Sequence, residues 1–162
     1  MPGTTSKPRA LLVDDDAAAV RLLGAGLEQA GIEVLVASDG ADALRQLVDH
    51  LLHLDLLVTV LNMPNLDGTT LVRIIRAEGG ESELEILVIA ATVSDRDSAM
   101  LGRLGVDGII LKSEGSDAIV QRAARLAQAA WARRTAVGSP PPRPGRTAGT
   151  PTPVPIARLV LR

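Results

Sequence analysis

The chain has 162 residues, with 17 Lys and Arg against 19 Asp and Glu for a formal net charge of −2, no Cys, Phe or Tyr, and one Trp. This length holds one domain with a buried core plus an appendage. The lack of Cys excludes disulfides and thiolate metal sites, and no apolar run approaches the roughly 18 residues of a membrane helix. The opening MPGTTSKPR is polar and lacks the apolar stretch of a secretory leader, so a soluble cytoplasmic protein is expected, with a core of Leu, Val, Ile and Ala.

The run RALLV at 9–13 is short and apolar and stops on three acids, Asp14, Asp15 and Asp16. Carboxylates placed there cap the free amides of a following helix and meet the positive end of its dipole. A helix is therefore predicted over 17–30, burying Val20, Leu23 and Leu27 and ending at Gly31. Gly24 and Gly26 inside it each cost about 1 kcal/mol relative to Ala, which points to close packing at both. Residues 32–37 form the second strand. Asp39 then opens a second helix with Ala43, Leu44, Leu47, Val48 and Leu51 facing inward.

Residues 56–60 form the third strand and run into a Pro-Asn-Leu-Asp-Gly turn at 64–68, after which a short helix buries Leu71, Ile74 and Ile75. Gly79 and Gly80 open a loop, and residues 86–91 form the fourth strand. Ser94 caps a helix over 95–104 that Gly105 stops. Residues 108–111 form the fifth strand, ending on Lys112, and the last helix covers 117–134 with Val120, Ala124, Ala127 and Trp131 on one stripe. Alternating strand and helix signals define an α/β domain with a parallel sheet. Runs such as LLV and ILVI suit strands buried on both faces. The expected architecture is flavodoxin-like, a doubly wound five-stranded sheet in the order 2-1-3-4-5.

Charge divides the chain. Every Asp and Glu lies at or before Asp117, whereas six basic residues (Arg133, Arg134, Arg143, Arg146, Arg158 and Arg162) and seven of the 10 prolines fall from residue 133 onward. The body then carries −8 and the end of the chain +6. The reading divides into a flexible start at 1–7, a domain at 8–134 and a Pro- and Arg-rich disordered tail at 135–162, too poor in apolar surface to offset its ordering entropy. With neither aromatics for stacking nor a recognition helix, nucleic-acid binding through this tail is a minor alternative. Residues 155–162, PIARLVLR, are too apolar for a pure solubiliser. They suit addition to a sheet edge or seating in a groove, on the acidic body or on a partner.

The segment DLLVTVLNMPNLDG at 55–68, the acid pair Asp14 and Asp15, and Lys112 after the fifth strand together resemble the receiver domain of bacterial response regulators, over about residues 8–130. In that family the third strand ends on the aspartate that accepts a phosphoryl group, four residues before the Pro of the Met-Pro pair. Four residues before Pro64 stands Val60. The resemblance implies that Asp14, Asp15 and the acceptor hold Mg²⁺, a hard cation taking oxygen ligands, with the Asn62 backbone carbonyl adding another. It also implies that Lys112 neutralises the charge of the phosphoryl group. Asp14, Asp15, Asn62, Pro64, Asp67, Gly68 and Lys112 match the family pattern.

Three departures fall on the chemistry. Val60 has no oxygen to phosphorylate, Ala90 replaces the Thr or Ser that follows the phosphoryl group, and Ile109 replaces the Tyr or Phe that rotates in response. Ser113 also replaces the usual Pro. The expectation is a pseudo-receiver in two-component phosphorelay signalling: no enzyme, but a phosphorylation-independent protein-interaction module. Its relic site is Asp14, Asp15, Asn62 and Lys112, with Mg²⁺ at Asp14 and Asp15 weak or absent and a standing Lys112–Asp15 ion pair. A protein partner is expected on the fourth helix, fifth strand and fifth helix, with a homodimer left open and no membrane contact.

The main rival is an active receiver using an acceptor among Asp14, Asp15 and Asp16. Asp55 is excluded by position, since it lies at the opposite end of the strand, about 16 Å from Val60 at about 3.3 Å per residue. Asp67 is expected to cap the next helix, and Thr59 faces away from Val60 by strand alternation. His50 and His53 lack a third ligand and read as solvated surface, and no glycine-rich phosphate loop, nucleophile elbow or metalloprotease motif occurs.

Overall fold

Branched side chains, nearly all apolar, build the centre of the molecule: LLVTV in β3 (Leu56–Val60) and ILVI within β4 (Glu85–Ala90) are buried throughout. The computed structural model describes residues 7–50, 54–78 and 84–136. The remaining elements are β1 (Arg9–Val13), α1 (Ala17–Gln29), β2 (Glu33–Ala37), α2 (Gly40–His50), α3 (Gly68–Glu78), α4 (Asp95–Arg103), β5 (Gly108–Leu111) and α5 (Ser116–Thr135), with a 3-10 turn at Lys112–Glu114. All strand pairs are parallel, and the order is β2-β1-β3-β4-β5. The doubly wound α/β architecture read from the sequence is the one observed.

Strand alternation sends the sheet's side chains into two apolar layers. Leu11, Val13, Leu57, Ile86, Val88 and Ala90 pack with Leu47 of α2, Leu71, Val72 and Ile75 of α3, and Leu101 of α4. Leu12, Val58, Val60, Leu87, Ile89 and Ile110 pack with Leu23 and Leu27 of α1 and Ile119, Ala123 and Ala127 of α5. Local signals close the helices as expected. Asp16 Oδ1 accepts from the amides of Ala18 and Ala19, Ser94 Oγ accepts from the Asp97 amide, and Gly31, at φ 86°, follows the end of α1. No described helix is long and apolar enough to cross a membrane.

Several expectations need correction. Val48 is exposed, because the buried face of α2 is set by Ala43, Leu44 and Leu47. The inward stripe of α5 is Ile119, Ala123, Ala124, Ala127 and Ala130, which keeps Ala124 and Ala127 of the expected stripe and leaves Val120 and Trp131 only half-buried. Gly26 does permit close packing, since a Cβ there would stand 2.7 Å from Val120 Cγ2 of α5, whereas Gly24 has open space around it. Leu51, His53, the Gly79–Gly80 loop and the tail beyond residue 136 lie outside the described residues, as does the side chain of His50.

The largest departure concerns charge. Arg133 and Arg134, inside the domain bounds read from the sequence but counted with the tail's charge, are engaged in ion pairs within the domain. Arg134 donates from Nε to Asp55 Oδ1 at 2.9 Å and from an Nη to Asp55 Oδ2 at 3.2 Å, and Arg133 pairs with Glu85. The Arg9 amide also donates to Asp55, at 3.0 Å. These pairs close the amino-terminal edge of the sheet, the edge opposite the relic site.

Candidate functional site: the carboxyl edge of the sheet

Strand register decides which residues meet at the carboxyl edge. Val13 pairs with Thr59, Val60 with Ile89 and Ala90 with Leu111. Asp14, one residue beyond Val13, therefore stands beside Val60, and its amide continues the ladder by donating to the Ala37 carbonyl at 3.2 Å. Alternation puts Asp14, Val60 and Lys112 on the α1–α5 side of the sheet and Ala90 and Ile109 on the α2–α4 side, where both join the apolar layer. A valine at this strand end is well accommodated: Val60 is 2% exposed and packs with Val58 and Ile89.

The turn after β3 is tied down at both ends. The Gly68 amide donates to the Leu61 carbonyl at 2.8 Å, and a Cβ at Gly68 would clash with the Val60 carbonyl oxygen, so only glycine fits so close to the strand. Asp67 Oδ1 accepts from the Thr70 amide at 2.7 Å, the helix cap expected of it. Asn65, at φ 70°, donates from Nδ2 to Asp39 Oδ2 at 3.3 Å and fastens the turn to the start of α2. Sequence reading missed this tether, because the partners lie 26 residues apart and Asp39 belongs to no motif that points to the turn. The amide of Asp42 and the side-chain amide of Asn65 together hold the Asp39 carboxyl below its ordinary range.

Asp14 is 3% exposed, and its Oδ1 accepts from the Asp16 amide at 2.9 Å. Burial pushes its carboxyl above the ordinary value; the Asp16 amide and the positive charge of Lys112 offset part of that, and the neighbouring Asp15 and Asp16 add to the rise. A cavity of about 280 Å³ opens beside it, walled by Asp14, Asp16, Lys112 and Ser116 and by apolar groups of Ala19, Leu22, Leu23, Ile89 and Ile119.

Of the predicted site residues, the structure brings Asp14 and Lys112 to one cavity. Asp15 and Asn62 are exposed and do not line it. Ser116 was not anticipated at the cavity, because the last helix was expected to begin one residue later.

The expected Lys112–Asp15 ion pair does not form. Lys112 is exposed, no ion pair within 4.0 Å engages it among the described residues, and its charge bears on Asp14 instead. Strand alternation supplies the reason, since Asp14 and not Asp15 shares a side of the sheet with Lys112.

The residues present do not fit the Mg²⁺ site that the resemblance implies. A hard cation of this kind takes about six oxygen ligands. Here Asp14 already has one oxygen engaged, and Val60 offers methyl groups where a third carboxylate would stand. Among the described residues, no three His, Cys, Asp or Glu are placed to hold a metal.

The family model for the response regulator receiver domain matches residues 10–124. The chain belongs to the response-regulator receiver family. The receiver is 37% identical over 110 residues to the transcriptional regulatory protein PrrA of Mycobacterium tuberculosis, covering 68% of this chain and 45% of that protein. It is also 34% identical over 102 residues to the Regulator of RpoS of Escherichia coli, covering 63% of this chain and 29% of that one. The chain thus spans less than half the length of these curated relatives.

Among solved structures, the receiver domain of the Francisella response regulator 1452 superposes with a TM-score of 0.66 at 27% identity, over 75% of this chain and 98% of that one. The chemotaxis protein CheY4 of Vibrio cholerae shares the fold, with a TM-score of 0.67 at 23% identity over 75% and 99%. The chain is therefore a receiver domain of the kind found in two-component response regulators.

Proposed function

We propose that this receiver does not accept a phosphoryl group and acts as a phosphorylation-independent protein-interaction module in two-component signalling. One observation carries the reading: the strand end that stands beside Asp14 holds Val60, a buried side chain with no nucleophilic oxygen. The remaining departures agree with it. Ala90 and Ile109 are absorbed into the apolar layer under α4, so neither a sliding hydroxyl nor a rotating ring is available to report on the site.

The nearby acids are poor substitutes, Asp15 because it is exposed and lies outside the cavity that Asp14 and Lys112 line. Asp16 is committed to capping α1, and Asp14 is almost wholly buried with one oxygen engaged. The partner surface proposed is α4–β5–α5, where Arg96 and Arg103 of α4 and Arg122 and Arg125 of α5 are exposed over a half-buried Ile109. A surface that no phosphoryl relay remodels presents one constant arrangement to its partner, so output follows the amount of protein and the partner's affinity.

The test is incubation with acetyl phosphate and Mg²⁺ followed by intact mass measurement. The expected mass is unchanged. A stable gain of one phosphoryl group mapped to any aspartate overturns the proposal in favour of an active receiver with an unusual acceptor.

A further inference from the structure

On the α1–α5 side of the sheet, an open groove of about 410 Å³ lies between the two helices, with Leu22, Gly26, Asp117 and Val120 among its walls. It adjoins the cavity beside Asp14 and Lys112, the two sharing Leu22 and Ser116. Leu22 is 61% exposed, the most exposed large hydrophobic side chain among the described residues. Three carboxylates (Asp14, Asp16 and Asp117) against one ammonium (Lys112) make the walls of groove and cavity acidic. The groove walls are half apolar (Leu22, Ala25, Gly26 and Val120) and half polar (Gln29, Ser116, Asp117 and Gln121), so they suit a segment that mixes apolar and cationic side chains.

The chain contains one. We propose that residues 156–162, IARLVLR, seat in the α1–α5 groove of their own chain. Ile156, Leu159 and Leu161 supply apolar groups for Leu22 and Val120, and Arg158 and Arg162 supply charge for Asp16 and Asp117. No acid beyond Asp117 opposes the contact.

The reach suffices. From Thr135, at the end of α5, back to Val120 is 15 residues, about 22 Å at about 1.5 Å per helical residue. The connecting residues 136–155 can span about 60 Å when fully extended. A tethered segment meets its groove at an effective concentration on the order of millimolar, so a weak contact is enough to fill it. This inference does not depend on whether the receiver accepts phosphate.

The test is amide hydrogen exchange on the full chain, comparing wild type with Leu22→Asp and with a Leu159→Asp/Leu161→Asp chain. In wild type, amides 157–162 are expected to exchange at least about tenfold more slowly than in Leu22→Asp. The tail double variant, altered outside the domain, is expected to speed exchange in residues 22–29 while β3 and β4 stay protected. Equal exchange of amides 157–162 in wild type and Leu22→Asp overturns the proposal. Protection that rises with protein concentration together with a dimer mass also overturns it, since the groove is then filled by a second copy.

Discussion

Asp14 sets burial against charge within a single side chain. Its folded carboxyl titrates above the ordinary value of 3.8 because burial penalises the ionised form. A raised folded value means that the folded chain binds more protons than the unfolded one between the two titrations, so stability falls as pH rises through that window. Asp14→Asn keeps an oxygen for the Asp16 amide and removes the buried charge. It is expected to stabilise the domain at pH 7 by about 0.5–2 kcal/mol. The gain should shrink as pH falls toward about 4, a profile that urea titrations at several pH values would show. A gain that stays constant down to acid pH contradicts this account of Asp14. Val60→Asp tests the same corner from the other side. A third carboxylate in a site now 2% exposed should cost about 2–4 kcal/mol without metal. It should also raise Mg²⁺ affinity at least about tenfold, and calorimetric titration with Mg²⁺ reads that change directly.

At the level of elements, side chains reaching across the fold supply what neighbouring backbone cannot. Arg76 of α3 donates to the carbonyls of Leu104 at 3.2 Å, Gly105 at 3.0 Å and Leu84 at 3.2 Å. One guanidinium thereby binds the carboxyl end of α4 and the approach to β4 to α3. Asp107 completes the junction by accepting from the Ile86 amide at 2.8 Å. Arg76→Met keeps the aliphatic bulk and removes those donors. Leaving several carbonyls unsatisfied should cost about 2–4 kcal/mol, measurable as a lower denaturation midpoint. A shift under about 0.5 kcal/mol, the size of an ordinary surface change, would show that water replaces the guanidinium and that Arg76 is not a strut.

For the whole molecule, the boundary of the domain is electrostatic as well as apolar. Asp55 and Glu85 are buried at the amino-terminal edge of the sheet and are engaged by Arg134 and Arg133 from the far end of α5. A chain cut after residue 136 retains both arginines and should melt within about 3 °C of the full chain. A chain cut after residue 132 loses both and should be destabilised by at least about 3–5 kcal/mol, because removing one member of a buried ion pair strands the other. Thermal unfolding of the two chains side by side checks the contrast, and equal melting would mean that these pairs do not hold α5 to the sheet.

Local chemistry made most of the fold legible from the amino acids alone. RALLV followed by three acids, a Ser before DRDS, and glycines at 31 and 105 each state a strand end, a cap or a stop within a few residues. The resemblance of the Met-Pro-Asn-Leu-Asp-Gly turn to the receiver family located Val60 by counting back from Pro64. What depended on tertiary structure was every relation between distant positions. Only strand pairing could place Asp14, and not Asp15, on the same side as Lys112, and only the docking of α5 could pair Arg133 with Glu85 and Arg134 with Asp55. The Asn65–Asp39 tether and the exposure of Leu22 over the α1–α5 groove belong to the same class, because each depends on the distance between helices and loops that packing sets and sequence spacing does not encode.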